Sequence, residues 1–558
     1  MKTSTTLLWV LACAGALVSA ACGGGGSDAN AAPAPLAVVK PTATCASLSS
    51  VSLTEIGGVG STITSAIETT STINGADVKF CTVEGTLAPA VGFRVRLPVD
   101  TWTQRALDIG CGGLCGSISA SVTPGQSYNC PLVQQGGFVL ASTNMGHTNA
   151  EATWSQDPQR RVDFAYRGVH VTRLAAKKLT QAYYGQAEKY AYFVGCSDGG
   201  REALMAAQRY PQDYNGIVAG APAFLFNSQN SLYHGWMARS NRDTGLTTGS
   251  LVLFPAKAAV LHSAVVAACD ALDGQTDGLL SDPRLCSFDP ATIQCAAGAT
   301  DTSACLTATE VATAKKFYDG PRDPVSSRRI LVGTPQYGSE LNWAGVFVPA
   351  TTTATSVSSE NFVNGARYVI FTDATPPVLD AFEFTEAFYD KLRVRHTLND
   401  ATSADLSAFK AAGGKLILWH GWADQHISPL GTIGYVEALQ KNMGGQSSLD
   451  AFMRFYLAPG VSHCGGGEGL PNMDLVTAAV EWTEKGTAPD AITTYRTDTA
   501  GSVTSVRPMY PYPALAKYNG TGDANAAASY SRGPALYTGA VPDWAGQDFY
   551  NPYTGAPL

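Results

Sequence analysis

Between Ala191 and Gly220 the sequence sets out a strand, a helix and a second strand with almost nothing in between. Ala191-Tyr192-Phe193-Val194 is a short apolar run, Glu202 to Tyr210 reads as a helix stopped by Pro211, and Gly216-Ile217-Val218-Ala219-Gly220 is again apolar. A helical period over Asp163 to Tyr183 (Val169, Val171, Leu174, Ala175, Leu179) stands before them, and Phe93 to Leu97 and Phe138 to Ser142 read as earlier strands. Strands alternating with helices specify an α/β fold around a parallel sheet. The same rhythm returns with Lys415-Leu416-Ile417-Leu418-Trp419-His420 and Phe455-Tyr456-Leu457.

The chain has 558 residues, of which 45% are hydrophobic and only 15% charged, enough to bury a large core. A net charge of −8 with no long Lys/Arg run argues against a nucleic-acid partner, because phosphate recognition needs a basic face. Thirteen cysteines are hard to reconcile with a reducing compartment. Export is expected instead. Residues 1–21 read as a signal peptide, with Lys2 ahead of an apolar run from Leu7 to Ala20, and residues 22–44 as a flexible Gly/Ala/Pro tether. Val18-Ser19-Ala20-Ala21-Cys22 leaves two outcomes open: a lipid anchor at Cys22, or simple cleavage near Ala21 and free secretion into the periplasm or medium. No later run of 18 apolar residues suggests a membrane span. Residues 45–225 and 403–558 are expected to form one core. Residues 226–402, rich in Asp loops, Cys pairs and Thr/Ser, read as a lid inserted over it.

Gly195-Cys196-Ser197-Asp198-Gly199 fits Gly-x-Ser-x-Gly and lies between the predicted strand and helix. A turn that tight requires small flanking residues and lifts the Ser hydroxyl to the end of the sheet. A nucleophilic Ser needs a base, and the base an acid that fixes its tautomer. In α/β-hydrolases these follow the Ser in the order acid, then His. Asp424, just past the Lys415–His420 strand, and His463, past Phe455–Leu457, satisfy that order. His147 precedes the Ser; His170 and His262 read as packed helix residues; His420 and His426 flank the acid. Cys196 adjoins Ser197 and Cys464 adjoins His463, so a working Ser–His pair would bring both sulfurs within disulfide reach. Cys196 as nucleophile is the rival, weakened because a free thiol oxidises outside the cell. The oxyanion donors are expected at the backbone amides of Asp198 and, in Gly110-Cys111-Gly112-Gly113, of Gly112. Cys111 and Cys115 lack the second pair that a zinc site needs.

Asp270, Asp273 and Asp277 crowd three carboxylates into eight residues between Cys269 and Cys286, which could close the loop. Crowded carboxylates suit Ca²⁺, although the spacing is not that of an EF-hand, and an acidic surface turn is the alternative.

Taken together, the stretch Gly195 to Glu202, His420-Gly421-Trp422-Ala423-Asp424, His463-Cys464-Gly465-Gly466 and the Asp-rich loop resemble the tannase and feruloyl esterase family of exported α/β-hydrolases, from about Cys45 to the C-terminus. The resemblance implies an α/β-hydrolase core with a lid and a Ser197–His463–Asp424 triad beside a Cys196–Cys464 disulfide. It implies structural calcium on Asp270, Asp273 and Asp277 with the backbone oxygens of Gln275 and Leu279. It also implies the pairs Cys45–Cys81, Cys269–Cys286 and Cys295–Cys305. Cys111, Cys115 and Cys130 remain, with Cys115–Cys130 as the expected pair, and Trp343 is a candidate wall of the substrate site or a buried lid residue. The implied activity is a serine carboxylesterase acting on small aromatic-acid esters of feruloyl or galloyl type. Mono(2-hydroxyethyl) terephthalate or another polyester-derived ester is the alternative substrate, and a non-catalytic binding protein the remaining one.

Overall fold

The computed structural model describes residues 36–553 apart from 74, 120–129 and 152. The expected signal peptide, Cys22 and most of the expected tether lie outside the described residues. Nine strands form one sheet: β1 (Thr62–Ile73), β2 (Ala76–Leu87), β3 (Val91–Pro98), β4 (Arg105–Ile109), β5 (Phe138–Thr143), β6 (Tyr190–Cys196), β7 (Gly216–Gly220), β8 (Lys415–Gly421) and β9 (Met453–Ala458). Their order is β1-β2-β3-β5-β4-β6-β7-β8-β9. The β1, β2, β3 and β5 neighbours pair antiparallel, and every pair from β5 to β9 is parallel.

The chain leaves β4 towards one side for β5 and then crosses to the other side for β6. That reversal makes the carboxyl ends of β4 and β6 the topological switch point, the place where open α/β sheets bind ligands. The parallel strands are covered on both faces. In β6, Tyr192 and Val194 pack under the helix Leu475–Lys485, while Ala191 and Phe193 join the cluster of the opposite face. Helix α1 (Gly168–Tyr184) follows a π-type turn at Asp163–Arg167, and α2 (Asp198–Arg209) starts directly at the end of β6.

Between β7 and β8 lies a helical insertion, the segment expected to form the lid, which adds no strand to the main sheet. Its helix Pro255–Cys269, extended to Asp273, spans 19 residues and reaches a mean hydropathy of 1.2 over an 18-residue window, enough by length and composition to cross a membrane. Ala258, Leu261, Val265 and Cys269 are nevertheless buried in the main core cluster, as befits a packed lid helix. The C-terminal region is built into the fold. It adds β-strands at Val503–Met509, Leu515–Tyr518 and Tyr530–Gly533, and it sinks Trp544, Phe549 and Tyr550 into the main core.

Candidate active site

Ser197 sits between β6 and α2 with φ 64° and ψ −122°, a conformation a side chain rarely adopts. Its backbone is pinned on both sides: its N–H donates to Gly220 O at 3.0 Å, and its carbonyl accepts from Ala223 N–H at 2.9 Å. The glycines make the turn sterically feasible. A Cβ on Gly195 would lie 2.3 Å from Gly199 O, and one on Gly200 would lie 2.4 Å from Gly220 O.

Asp424 lies on the loop after β8 and is fully buried. It accepts four hydrogen bonds: from His463 Nδ1 at 2.7 Å, His420 Nε2 at 3.0 Å, His426 N–H at 2.8 Å and Ile427 N–H at 2.9 Å. Burial alone would raise this carboxyl. The His463 charge and the hydrogen bonds from His420 and His463 outweigh it and hold the group far below the ordinary carboxylate range. With Nδ1 donating to Asp424, His463 is left with Nε2 as its free base. The Cys196–Cys464 disulfide joins the residues next to nucleophile and base, with a Cα–Cα distance of 5.8 Å.

Ser197, His463, Cys196, Cys464 and the loop Gly110–Gly113 line one open cavity of about 380 Å³. The predicted oxyanion residue Gly112 is therefore on the cavity wall, and Asp198 is the first residue of α2. The lid supplies Gln229, Asn230, His234 and Phe362, and the Asp424 loop supplies His426. None of the lid residues carries a sequence signal, since each is an isolated side chain on a helix. His426 stands two residues from Asp424 yet gives no hint of its role. The rings interlock: His426 and His463 have centroids 4.8 Å apart, His234 stacks on Phe362 at 4.9 Å, and Phe362 meets His426 edge-on at 5.5 Å. Burial, reinforced by the neighbouring His463, pushes His426 down to about 3, and burial with His426 and His463 lowers His234 well below its usual value. Both imidazoles are thus neutral hydrogen-bonding groups at neutral pH. Gln229 Nε2 donates to His426 O at 2.8 Å and lies 3.0 Å from His234 Nε2, so the accepting nitrogen of His234 faces Gln229 and its Nδ1 faces Ser359 Oγ.

Trp343 is not a wall of this cavity. It is fully buried in the core, with Nε1 donating to Ser339 Oγ at 2.9 Å. The other histidines lie elsewhere. His147 stacks on Trp154, His170 contacts Asp213, and His262 sits between Glu340 and Glu468.

Among the described residues, five disulfides join Cys45–Cys81, Cys111–Cys115, Cys196–Cys464, Cys269–Cys286 and Cys295–Cys305. The expected Cys115–Cys130 pair is corrected. Cys115 is bonded to Cys111, four residues away, and Cys130 is a buried free thiol packed under the helix Leu475–Lys485. Cys111, Cys115, Asp198 and Glu202 bring ligand-type atoms within 4.8 Å of one another, but the joined sulfurs offer no thiolate to a metal.

In the Asp-rich loop the carboxylates are held by the loop itself. Asp270 accepts from Asp277 N–H and Gly278 N–H, Asp273 from Gln275 N–H and Ser281 N–H, and Asp277 from Leu279 N–H. Burial raises the Asp273 carboxyl, with the nearby Asp277 charge adding to it, and Arg507 pairs with Asp277 at 2.6 Å. Three carboxylates offer the hard oxygen donors that suit a cation such as Ca²⁺, but all three are already held by loop amides and Asp277 also by Arg507.

The family model described as "Tannase and feruloyl esterase" matches residues 74–533. A mono(2-hydroxyethyl) terephthalate hydrolase from Piscinibacter sakaiensis is 32% identical over 528 residues, covering 81% of this chain and 84% of that protein. A probable feruloyl esterase B-2 from Neosartorya fischeri is 32% identical over 445 residues, covering 76% and 80%. Among solved structures, an esterase from Aspergillus oryzae superposes with a TM-score of 0.74 at 25% identity, over 88% of this chain and 100% of that one. With a family match across most of its length and an α/β-hydrolase architecture to carry it, the chain belongs to the tannase and feruloyl esterase family and is a carboxylic ester hydrolase.

Proposed function

We propose that this esterase hydrolyses esters of aromatic carboxylic acids through an acyl-enzyme, with Ser197 as nucleophile, His463 as base and Asp424 as its orienting acid. The observation that carries the reading is the 2.7 Å hydrogen bond from His463 Nδ1 to a buried Asp424, in a cavity that His463 shares with Ser197. His463 Nε2 takes the Ser197 proton as Oγ attacks the ester carbonyl, then returns it to the departing alcohol. The Asp198 and Gly112 amides would hold the oxyanion, each contributing about 3–4 kcal/mol to the transition state. Water deprotonated by His463 then attacks the acyl-enzyme, releasing the acid and restoring Ser197. Phe362 and the neutral His234 and His426 suit a flat aromatic acyl group. The Ser197→Ala variant is expected to lose turnover on methyl ferulate, methyl gallate and mono(2-hydroxyethyl) terephthalate while keeping its melting temperature; persistent activity overturns the assignment. The relative that acts on mono(2-hydroxyethyl) terephthalate supports the third substrate as a second reading, and the rate order across the panel decides between them.

Calcium on Asp270, Asp273 and Asp277, with the backbone oxygens of Gln275 and Leu279, is proposed as a structural ion. It would neutralise the crowded carboxylates and tie down the loop closed by Cys269–Cys286. Export is supported by the five disulfides. The proposed anchor at Cys22 is read from the mass of the mature N-terminus.

A further inference from the structure

The loop after β4 carries Gly112, one of the two proposed oxyanion amides, and it is held with unusual thoroughness. Cys111 and Cys115 are bonded to each other around it. Cys115 N–H donates to Gly112 O at 3.0 Å, and Gly110 N–H donates to Val194 O of β6 at 2.9 Å. Gly110 also rests directly on the first turn of α2, where an added Cβ would come within 2.6 Å of Gly199 Cα. The remaining tie is Glu202. It is 1% exposed, lies one turn beyond Asp198 on α2, and accepts from Cys111 N–H at 3.3 Å. The helix that presents the Asp198 amide thereby also grips the loop that presents the Gly112 amide.

The charges around Glu202 explain how it can sit there. The ionisable groups it meets are Asp198 and Arg201 of its own helix; the loop facing it contributes only a disulfide. Arg201 is committed to Asp198, with Nε to Oδ1 at 2.6 Å and Nη2 to Oδ2 at 3.0 Å, and to the carbonyls of Phe164 and Ala165. One guanidinium thus serves two buried carboxyl groups and neutralises one of them. Burial, with the Asp198 charge beside it, raises the Glu202 carboxyl well above the usual range, which favours the neutral acid. Its Oε1 lies 2.8 Å from Cys111 Sγ, packing the carboxyl against the disulfide, and the carboxyl shares a side-chain hydrogen bond with Asp198. A neutral acid can hold the loop without setting a second negative charge beside the developing oxyanion.

We propose that Glu202 and the Cys111–Cys115 disulfide act together as a positioning device that fixes the Gly112 amide opposite the Asp198 amide. The inference rests on the serine-esterase reading above, and Ser197→Ala serves as its separate control. The experiment is steady-state kinetics of Glu202→Leu, Glu202→Gln and the double variant Cys111→Ala/Cys115→Ala, with the melting temperature of each. Glu202→Leu and the double variant are expected to lower kcat about tenfold or more, with KM within about twofold, since losing one oxyanion donor outright costs about 10²–10³. Glu202→Gln retains an oxygen for Cys111 N–H and a donor for Asp198, and is expected to recover most of the lost kcat. Unchanged kcat in Glu202→Leu and the double variant overturns the proposal, as does a change confined to KM or a Glu202→Gln as slow as Glu202→Leu. If Glu202→Leu does not fold, the double variant and Glu202→Gln decide the matter. Should Ser197→Ala remain active, the esterase assignment itself fails; if it is inactive while the other variants keep full kcat, only the positioning role fails.

Discussion

Asp424 carries more of the site than its place in a triad requires. Two histidines and two backbone amides converge on it, so an amide at this position would disturb the His463 tautomer and leave a donor facing a donor. Asp424→Asn is expected to lower kcat by about 10³–10⁴ with little change in KM, read by steady-state kinetics. A second residue-scale consequence concerns acid stability. His147 is 2% exposed and stacked on Trp154 at 3.9 Å, and burial lowers it to about 4. Between that value and about 6.5 the unfolded chain binds a proton that the folded one refuses, so stability rises with pH. This contribution is complete above about 6.5 and fades as pH falls towards 4, at up to about 1.4 kcal/mol per pH unit. Wild type is expected to lose more melting temperature between pH 6.5 and 4.5 than His147→Phe. Equal losses would contradict a neutral, buried His147.

Among elements, those with the simplest environments are the ones written most plainly in the sequence. Strands β6, β7 and β8 are buried on both faces, so their apolar runs are unbroken and legible. The hairpin of β1 and β2 escapes notice because β1 is mostly Thr and Ser, lies at the sheet edge and stays largely exposed. Helix α2 begins four residues before Glu202, the expected start. Gly199 and Gly200 look like a turn in sequence, but they are glycines because Cys111 O and Gly220 O press against them. Ser197, Asp424 and His463 are legible because each follows a readable strand. Gln229, His234 and Phe362 are not, because only the tertiary fold brings lid helices over the sheet. The Asp-rich loop gives an element-scale test of the proposed calcium. EDTA is expected to lower the melting temperature of wild type but not of Asp270→Ala/Asp273→Ala, and no shift in wild type would count against the ion.

At the scale of the whole molecule, the Cys196–Cys464 bond spans 268 positions of sequence and encloses the entire lid. Residues 196 to 464 therefore form one covalent ring, with Ser197 and His463 next to its clasp. A single cut in the lid opens the ring without dividing the molecule, because the two new ends remain joined through the clasp. The exposed segment 351–356 is a natural place for such a cut. After limited digestion there with a broad-specificity protease, the protein is expected to run as one species on a non-reducing gel and as two on a reducing gel, with esterase activity surviving until the bond is reduced. That architecture turns an exposed stretch of chain into a tolerated site of damage.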